Sequence, residues 1–274
     1  MVRISEGLGA ILLAFSACSG TTEMKRYSPT VQERQLADIT NVVHPAYRLN
    51  VRQPDAQGIQ NILAVIERVP DPLQQAANEY GGIVVIFDGT ITDNESMHSF
   101  KGQQIPKWSE GKVYDILPGA YSITFKEALI KRGYTPDSHG SVSLELHEYG
   151  HLMDFALGSA VSLPSLSSSP YFISVHEVSK RRTKSDGSRI ISDYSYNYRD
   201  EFFAEAFAQY YHSPQSRQSL DANTPEAHHF FRNLEIAVST DSLADFNKFY
   251  PGSNQPHPVQ NNERPAIESH CIIK

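Results

Sequence analysis

Residues 144–155 read LELHEYGHLMDF, and the fold turns on this stretch. His147 and His151 are four residues apart, so a helix sets both imidazoles on one face, one turn apart. Val142, Leu144, Leu146, Leu152, Met153 and Phe155 supply the apolar surface of an amphipathic helix predicted over 141–157. Two histidines so placed can hold one divalent cation. Zinc would add a third protein ligand and leave a position for water. Glu148, beside the first histidine, can reach that water and accept its proton. With 11 histidines in 274 residues, the His-Glu-x-x-His pattern arises by chance only about 0.03 times, which disfavours a solvated histidine pair.

The third ligand is expected from a helix further along. Residues 198–212 (YRDEFFAEAFAQYYH) carry Glu201 and Glu205 at i and i+4, with Phe202, Phe203, Ala206, Phe207 and Tyr210 around them. Two carboxylates on so apolar a helix would be poor core residues unless they meet something cationic. One can bind a metal and the other can accept the free ring N–H of a ligating histidine. Spacing alone leaves open which does which.

At these residues the chain resembles the anthrax lethal factor-like zinc peptidases, a family that includes the bacterial Pro-Pro endopeptidases. The resemblance rests on LHEYGHLMD (146–154) and DEFFAEAFAQYYHS (200–213). It implies an α+β, zincin-like metallopeptidase domain with a small mixed sheet and an HExxH active-site helix, preceded by a short helical segment. It also implies Zn2+ as cofactor, held by His147, His151 and Glu201, with Glu205 as the supporting carboxylate. Tyr194, seven residues before Glu201 in SDYSYNY, would donate to the transition-state oxyanion. Tyr196 and Tyr198 lie near enough in sequence to compete for that role. Asp154, three residues after His151, is a further candidate to support a ligand. The implied activity is zinc-dependent endopeptidase action on a protein or peptide, with Glu148 as general base. Two other readings stand beside it: a catalytically silent zinc-containing binding lipoprotein, and a toxin-like effector protease acting on a host protein.

Outward from these motifs, VQERQLADITNVV (31–43) and IQNILAVIERV (59–69) suggest helices, and GGIVVIFDG (81–89) a buried strand. GKVYDIL (111–117) and AYSITF (120–125) read as further strands. Helices are expected over 169–180, 199–212 and 225–238, with a serine-rich loop at 162–170. His228 and His229 are adjacent, so on a helix they point apart and read as surface residues. The basic cluster Lys180, Arg181, Arg182 and Lys184 reads as a solvated loop.

The N-terminus has another character. LGAILLAFSAC (8–18) is a short apolar run after Arg3, a signal-peptide layout too short to span a bilayer. Its ending Phe15-Ser16-Ala17-Cys18 resembles a bacterial lipobox, with Phe15 where leucine is usual. The expected organisation is a leader over 1–18, a polar tether over 19–30, a helical segment over 31–75, the peptidase domain over 76–250 and a disordered tail over 251–274. Cys18 and Cys271 are the two cysteines, so a disulfide scaffold is excluded. Lipidated Cys18 would make an exported protein tethered to the bacterial envelope. The net charge of −7 and the absence of a Lys/Arg block disfavour nucleic-acid binding.

Overall fold

The computed structural model describes residues 45–52, 55–105, 111–134, 140–182 and 191–249, all within one compact unit. The leader, Cys18, the tether, the stretch 31–43, Lys184 and the 251–274 tail lie outside the described residues.

Among the described residues, Tyr47–Asn50 (β1), Ile83–Phe87 (β2), Gly119–Ser122 (β3) and Glu127–Lys131 (β4) form one sheet in the order β1-β2-β4-β3. β1 and β4 run parallel to β2, with Val85 opposite Arg48 on one side and Leu129 on the other. β3 runs antiparallel to β4, Ala120 opposite Leu129. The sheet is therefore mixed. The run Ile-Val-Val-Ile-Phe suits β2 because a parallel strand covered on both faces needs continuous apolar character.

The helices are Ala56–Ile66 (α1), Asp71–Tyr80 (α2), Leu144–Ala160 (α3), Pro170–Lys180 (α4), Asp193–Asn197 (α5), Arg199–His212 (α6), Pro214–Asn223 (α7) and Pro225–Ser239 (α8). α3 is the axis of the molecule. It packs against α1, α2, β3 and β4 on one side and against α6 on the other. Ser143 starts it by accepting the Leu146 N–H at its N-cap, 3.3 Å. Behind α6 an aromatic cluster locks the helices together. Phe172 of α4, Phe202, Phe203 and Phe207 of α6, and Phe230 and Phe231 of α8 are all fully buried, with Phe172 and Phe230 rings 4.8 Å apart. Each such ring stabilises the fold by about 1.5–3 kcal/mol.

Several expectations change. α3 is buried on nearly every side rather than amphipathic, because sheet and α6 sandwich it. The described part of 31–75 is not all helical, since β1 lies within it. Nor is it separate from the domain after residue 76: Ile59, Ile62 and Ile66 of α1 bury their stripe in the common core. Residues 111–117 do not form a strand. Val113 makes a single bridge to Gln104, and Tyr114–Ile116 coil into a 3-10 turn. Asp115 holds that turn, its carboxylate accepting from Thr92 Oγ1 and the Gly102 N–H, both at 2.7 Å. The strand expected over 120–125 ends at Ser122, and the chain turns back into β4. The expected helices near 169–180, 199–212 and 225–238 are present as α4, α6 and α8.

Candidate metal centre

α3 and α6 cross closely, and the crossing depends on small residues. A Cβ on Gly150 would lie 3.0 Å from the Ala204 Cα and 3.3 Å from the Phe207 Cβ. With no side chain at 150 and a methyl at 204, the backbones approach and long side chains from each helix can meet. Four of them do. His147 Nε2 lies 3.2 Å from His151 Nε2 and 3.3 Å from Glu201 Oε2, and His151 Nε2 lies 3.8 Å from that same oxygen. All three residues are buried. On the far side of the His147 ring, Nδ1 meets Glu205 Oε2 at 3.3 Å. A carboxylate only accepts, so Nδ1 carries a hydrogen, and Nε2 is the ring nitrogen that faces the centre. Gln209 Nε2 donates to the other Glu205 oxygen, 3.4 Å.

This donor set fits a zinc ion. Two imidazole nitrogens and a carboxylate oxygen converge in a buried site, where a shared cation would satisfy all three at once. Their separations resemble the edge of a tetrahedron built on bonds of 2.0–2.1 Å, about 3.3 Å. His151 Nδ1 and Glu201 Oε1 are buried with no hydrogen-bond partner among the described residues, which marks the cluster as organised around something other than hydrogen bonds.

The electrostatics follow from burial and mutual proximity. Burial works against charge on His147, but hydrogen bonds and charge from Glu201 and Glu205 outweigh it and hold the imidazolium pKa up to about 10. Burial would raise Glu201, yet the charges and hydrogen bonds of His151 and His147 push it down to about 2. Glu148 is fully buried; burial lifts its carboxyl to about 7 against the pull of both histidines, with Glu201 adding to the rise. A carboxylate poised near neutrality suits proton transfer at neutral pH.

The remaining candidates are placed as follows. Tyr194 sits half-buried on α5, immediately before α6, its ring 4.9 Å from that of Tyr198. Tyr196 is enclosed in the core against Phe202, 5.2 Å between rings, and its carbonyl faces His176 Nε2 at 3.0 Å. Tyr194 and Tyr198 are the less buried of the three. Asp154 is buried but turned away from the cluster. Its carboxylate accepts from the Ser167 N–H at 2.5 Å and Ser167 Oγ at 2.6 Å, tying α3 to the 3-10 turn Leu166–Ser168. His228 Nδ1 pairs with Asp221 at 3.1 Å. Asp221, His228 and His229 also come within 4.8 Å at the surface, Asp221 and His229 exposed, unlike the buried centre. Arg182 is bonded to Glu226 of α8. Gln209 and Gly150 were not singled out from sequence. Gln209 is four residues after Glu205, so helical spacing could have found it; Gly150 carries no signal before its neighbour is known.

A mixed sheet under a central helix with two histidines one turn apart, and a glutamate brought in by the next long helix, defines a zincin-like α+β fold. The chain belongs to the anthrax toxin lethal factor family: the profile described as "Anthrax toxin lethal factor, N- and C-terminal domain" matches residues 30–234. It is 27% identical over 229 residues to the Pro-Pro endopeptidase of Clostridioides difficile (strain 630), a match spanning 82% of this chain and 95% of that protein. It is also 27% identical over 207 residues to lethal factor of Bacillus anthracis, spanning 66% of this chain but only 25% of lethal factor. In structure it resembles the Pro-Pro endopeptidase PPEP-2 of Paenibacillus alvei, with a TM-score of 0.58 and 24% identity, covering 69% of this chain and 96% of that one.

Proposed function

We propose that this chain is a zinc-dependent endopeptidase with His147, His151 and Glu201 as the metal ligands. The observation that carries the reading is the convergence of their three donor atoms at 3.2, 3.3 and 3.8 Å in a buried site. Bound there, zinc supplies Lewis-acid chemistry, lowering the pKa of a water and polarising the scissile carbonyl. Glu148 takes the proton of the attacking water and returns it to the departing amine. Glu205 holds His147 in the tautomer that presents Nε2 to the centre. Tyr194 donates a hydrogen bond to the oxyanion that forms on the scissile carbonyl oxygen. Asp154 acts at a distance, by anchoring α3 to the turn at Ser167.

A peptide bond between two prolines is the first substrate to offer. That choice follows from the name of the Clostridioides difficile relative, which this chain matches over nearly its whole length. We also propose that the protein is exported and tethered through a lipid on Cys18. Replacing Cys18 with serine should then move it from the membrane fraction to the soluble one.

The activity is tested with a diverse peptide library containing Pro-Pro sequences, exposed to wild type and Glu148→Ala with and without a chelator. New termini are read by mass spectrometry. Cuts made by metal-loaded wild type alone are the expected result. A folded, zinc-loaded wild type that cuts no better than Glu148→Ala would overturn the reading in favour of a binding protein.

A further inference from the structure

Gly119 opens β3, the edge strand that faces α3. Its φ is not positive, so its backbone conformation is open to any L residue, and conformational freedom is not the reason for glycine here. Space is. A Cβ at this position would lie 2.8 Å from Glu148 Cγ, 2.8 Å from Glu148 Oε1 and 2.8 Å from Leu144 Cδ1. Carbon atoms in packed interiors sit about 3.5–4.0 Å apart, so each of these approaches is a collision. The Leu144 methyl ends a flexible side chain and can turn aside. Glu148 Cγ cannot, because its position is set by χ1 on a helix packed on nearly every side, with the residue fully buried. Admitting a methyl at 119 therefore requires Glu148 to change rotamer or β3 to move off α3. The first change shifts the carboxylate by about 1 Å or more relative to the His147–His151–Glu201 centre, and the second loosens the strand that holds it in place.

We propose that Gly119 is a positioning residue, whose missing side chain reserves the space in which Glu148 holds its carboxylate for proton transfer. The proposal rests on the endopeptidase reading given above, and it concerns Glu148: two of the three atoms nearest the Cβ position at 119 belong to it, and none belongs to a metal ligand.

The test compares wild type, Gly119→Ala, Gly119→Val, Glu148→Ala and the Gly119→Ala/Glu148→Ala double variant. It reads zinc content and Tm for all of them, and kcat and KM on whichever peptide wild type cuts. Misplacing a catalytic group by about 1 Å costs up to ~100-fold, so Gly119→Ala should lower kcat about 10–100-fold. KM should stay within about threefold and zinc content should be unchanged, with Gly119→Val worse than alanine. Gly119→Ala should also lower Tm, and that penalty should largely vanish in the Glu148→Ala background, where Cγ and Oε1 are gone. If Gly119→Ala alone fails to fold, the double variant still folds on this account; failure of both overturns it. A Gly119→Ala enzyme with kcat within twofold of wild type overturns the proposal, as does a Tm penalty equal in both backgrounds. Should wild type cut no peptide, the endopeptidase reading fails, and the Tm cycle by itself still decides whether Glu148 owns that space.

Discussion

Replacing Glu205 with alanine removes the acceptor behind His147 without touching any atom of the three-donor cluster. The His147 Nδ1–H then stays buried, its side chain only 4% exposed, with no carboxylate to receive it. Outer hydrogen bonds of this kind typically change metal affinity 10–100-fold, or about 1.4–2.8 kcal/mol. The separation of 3.3 Å is longer than the 2.7–2.9 Å of a strong charge-assisted bond, which places the effect in the lower half of that range. The expected loss is therefore about 10–30-fold in zinc affinity. Glu205→Gln keeps an oxygen acceptor but not the charge, and should lose about 3–10-fold. Glu201→Ala, which deletes a donor, should lose about 1,000-fold or more. Competition for zinc against a chromogenic chelator at pH 7 measures all three, with circular dichroism to establish that each variant is folded. Affinity of Glu205→Ala within twofold of wild type would refute the reasoning. So would a loss as large as that of Glu201→Ala, because Glu205 would then be acting as a ligand.

Two further outcomes are expected. In the metal-free protein His147 keeps its proton up to about pH 10, while a ligating imidazole must be neutral, so zinc binding releases at least one proton below that pH. Apparent affinity should rise at least about tenfold per pH unit between pH 6 and 8, and titration calorimetry in buffers of different ionisation enthalpy should count the protons; a pH-independent affinity would contradict the pairing of His147 with the two glutamates. Gly150→Ala puts a methyl 3.0 Å from the Ala204 backbone and should push α3 and α6 apart, lowering both Tm and zinc affinity, whereas unchanged affinity would show that the donor geometry does not depend on that crossing.

The grouping of the candidate donors was legible in the sequence because helical spacing is a strong constraint. His147 with His151, and Glu201 with Glu205, each share a face by virtue of their four-residue separation, and the structure brings the two faces together. What spacing could not separate was the pair of glutamates. Glu201 Oε2 faces the Nε2 atoms of both histidines, and Glu205 Oε2 faces Nδ1 of His147 alone, a distinction set by how α6 crosses α3. The sheet was harder to read. β1 is short, largely exposed and paired on one side only, so YRLN shows no alternation. β4 reads EALIK, with a charged residue at each end; it is a strand because β2 and β3 both pair with it, and because Arg48 meets its buried Glu127 at 2.7 Å. α7 stayed hidden because Leu220 is its single buried apolar residue, and a Ser213–Ser216 capping box does most to start it. Gly119 and Gly150 are positions where what matters is the neighbour across the gap. No pattern along the chain reveals that neighbour.

Zinc content per chain, measured by atomic emission on wild type and on His147→Ala, His151→Ala and Glu201→Ala purified side by side, tests the centre most directly. The account predicts about one zinc per chain for wild type and a near-complete loss in each of the three variants while the fold persists. A variant that keeps its full zinc, or a folded wild type that never takes up the metal, would contradict it.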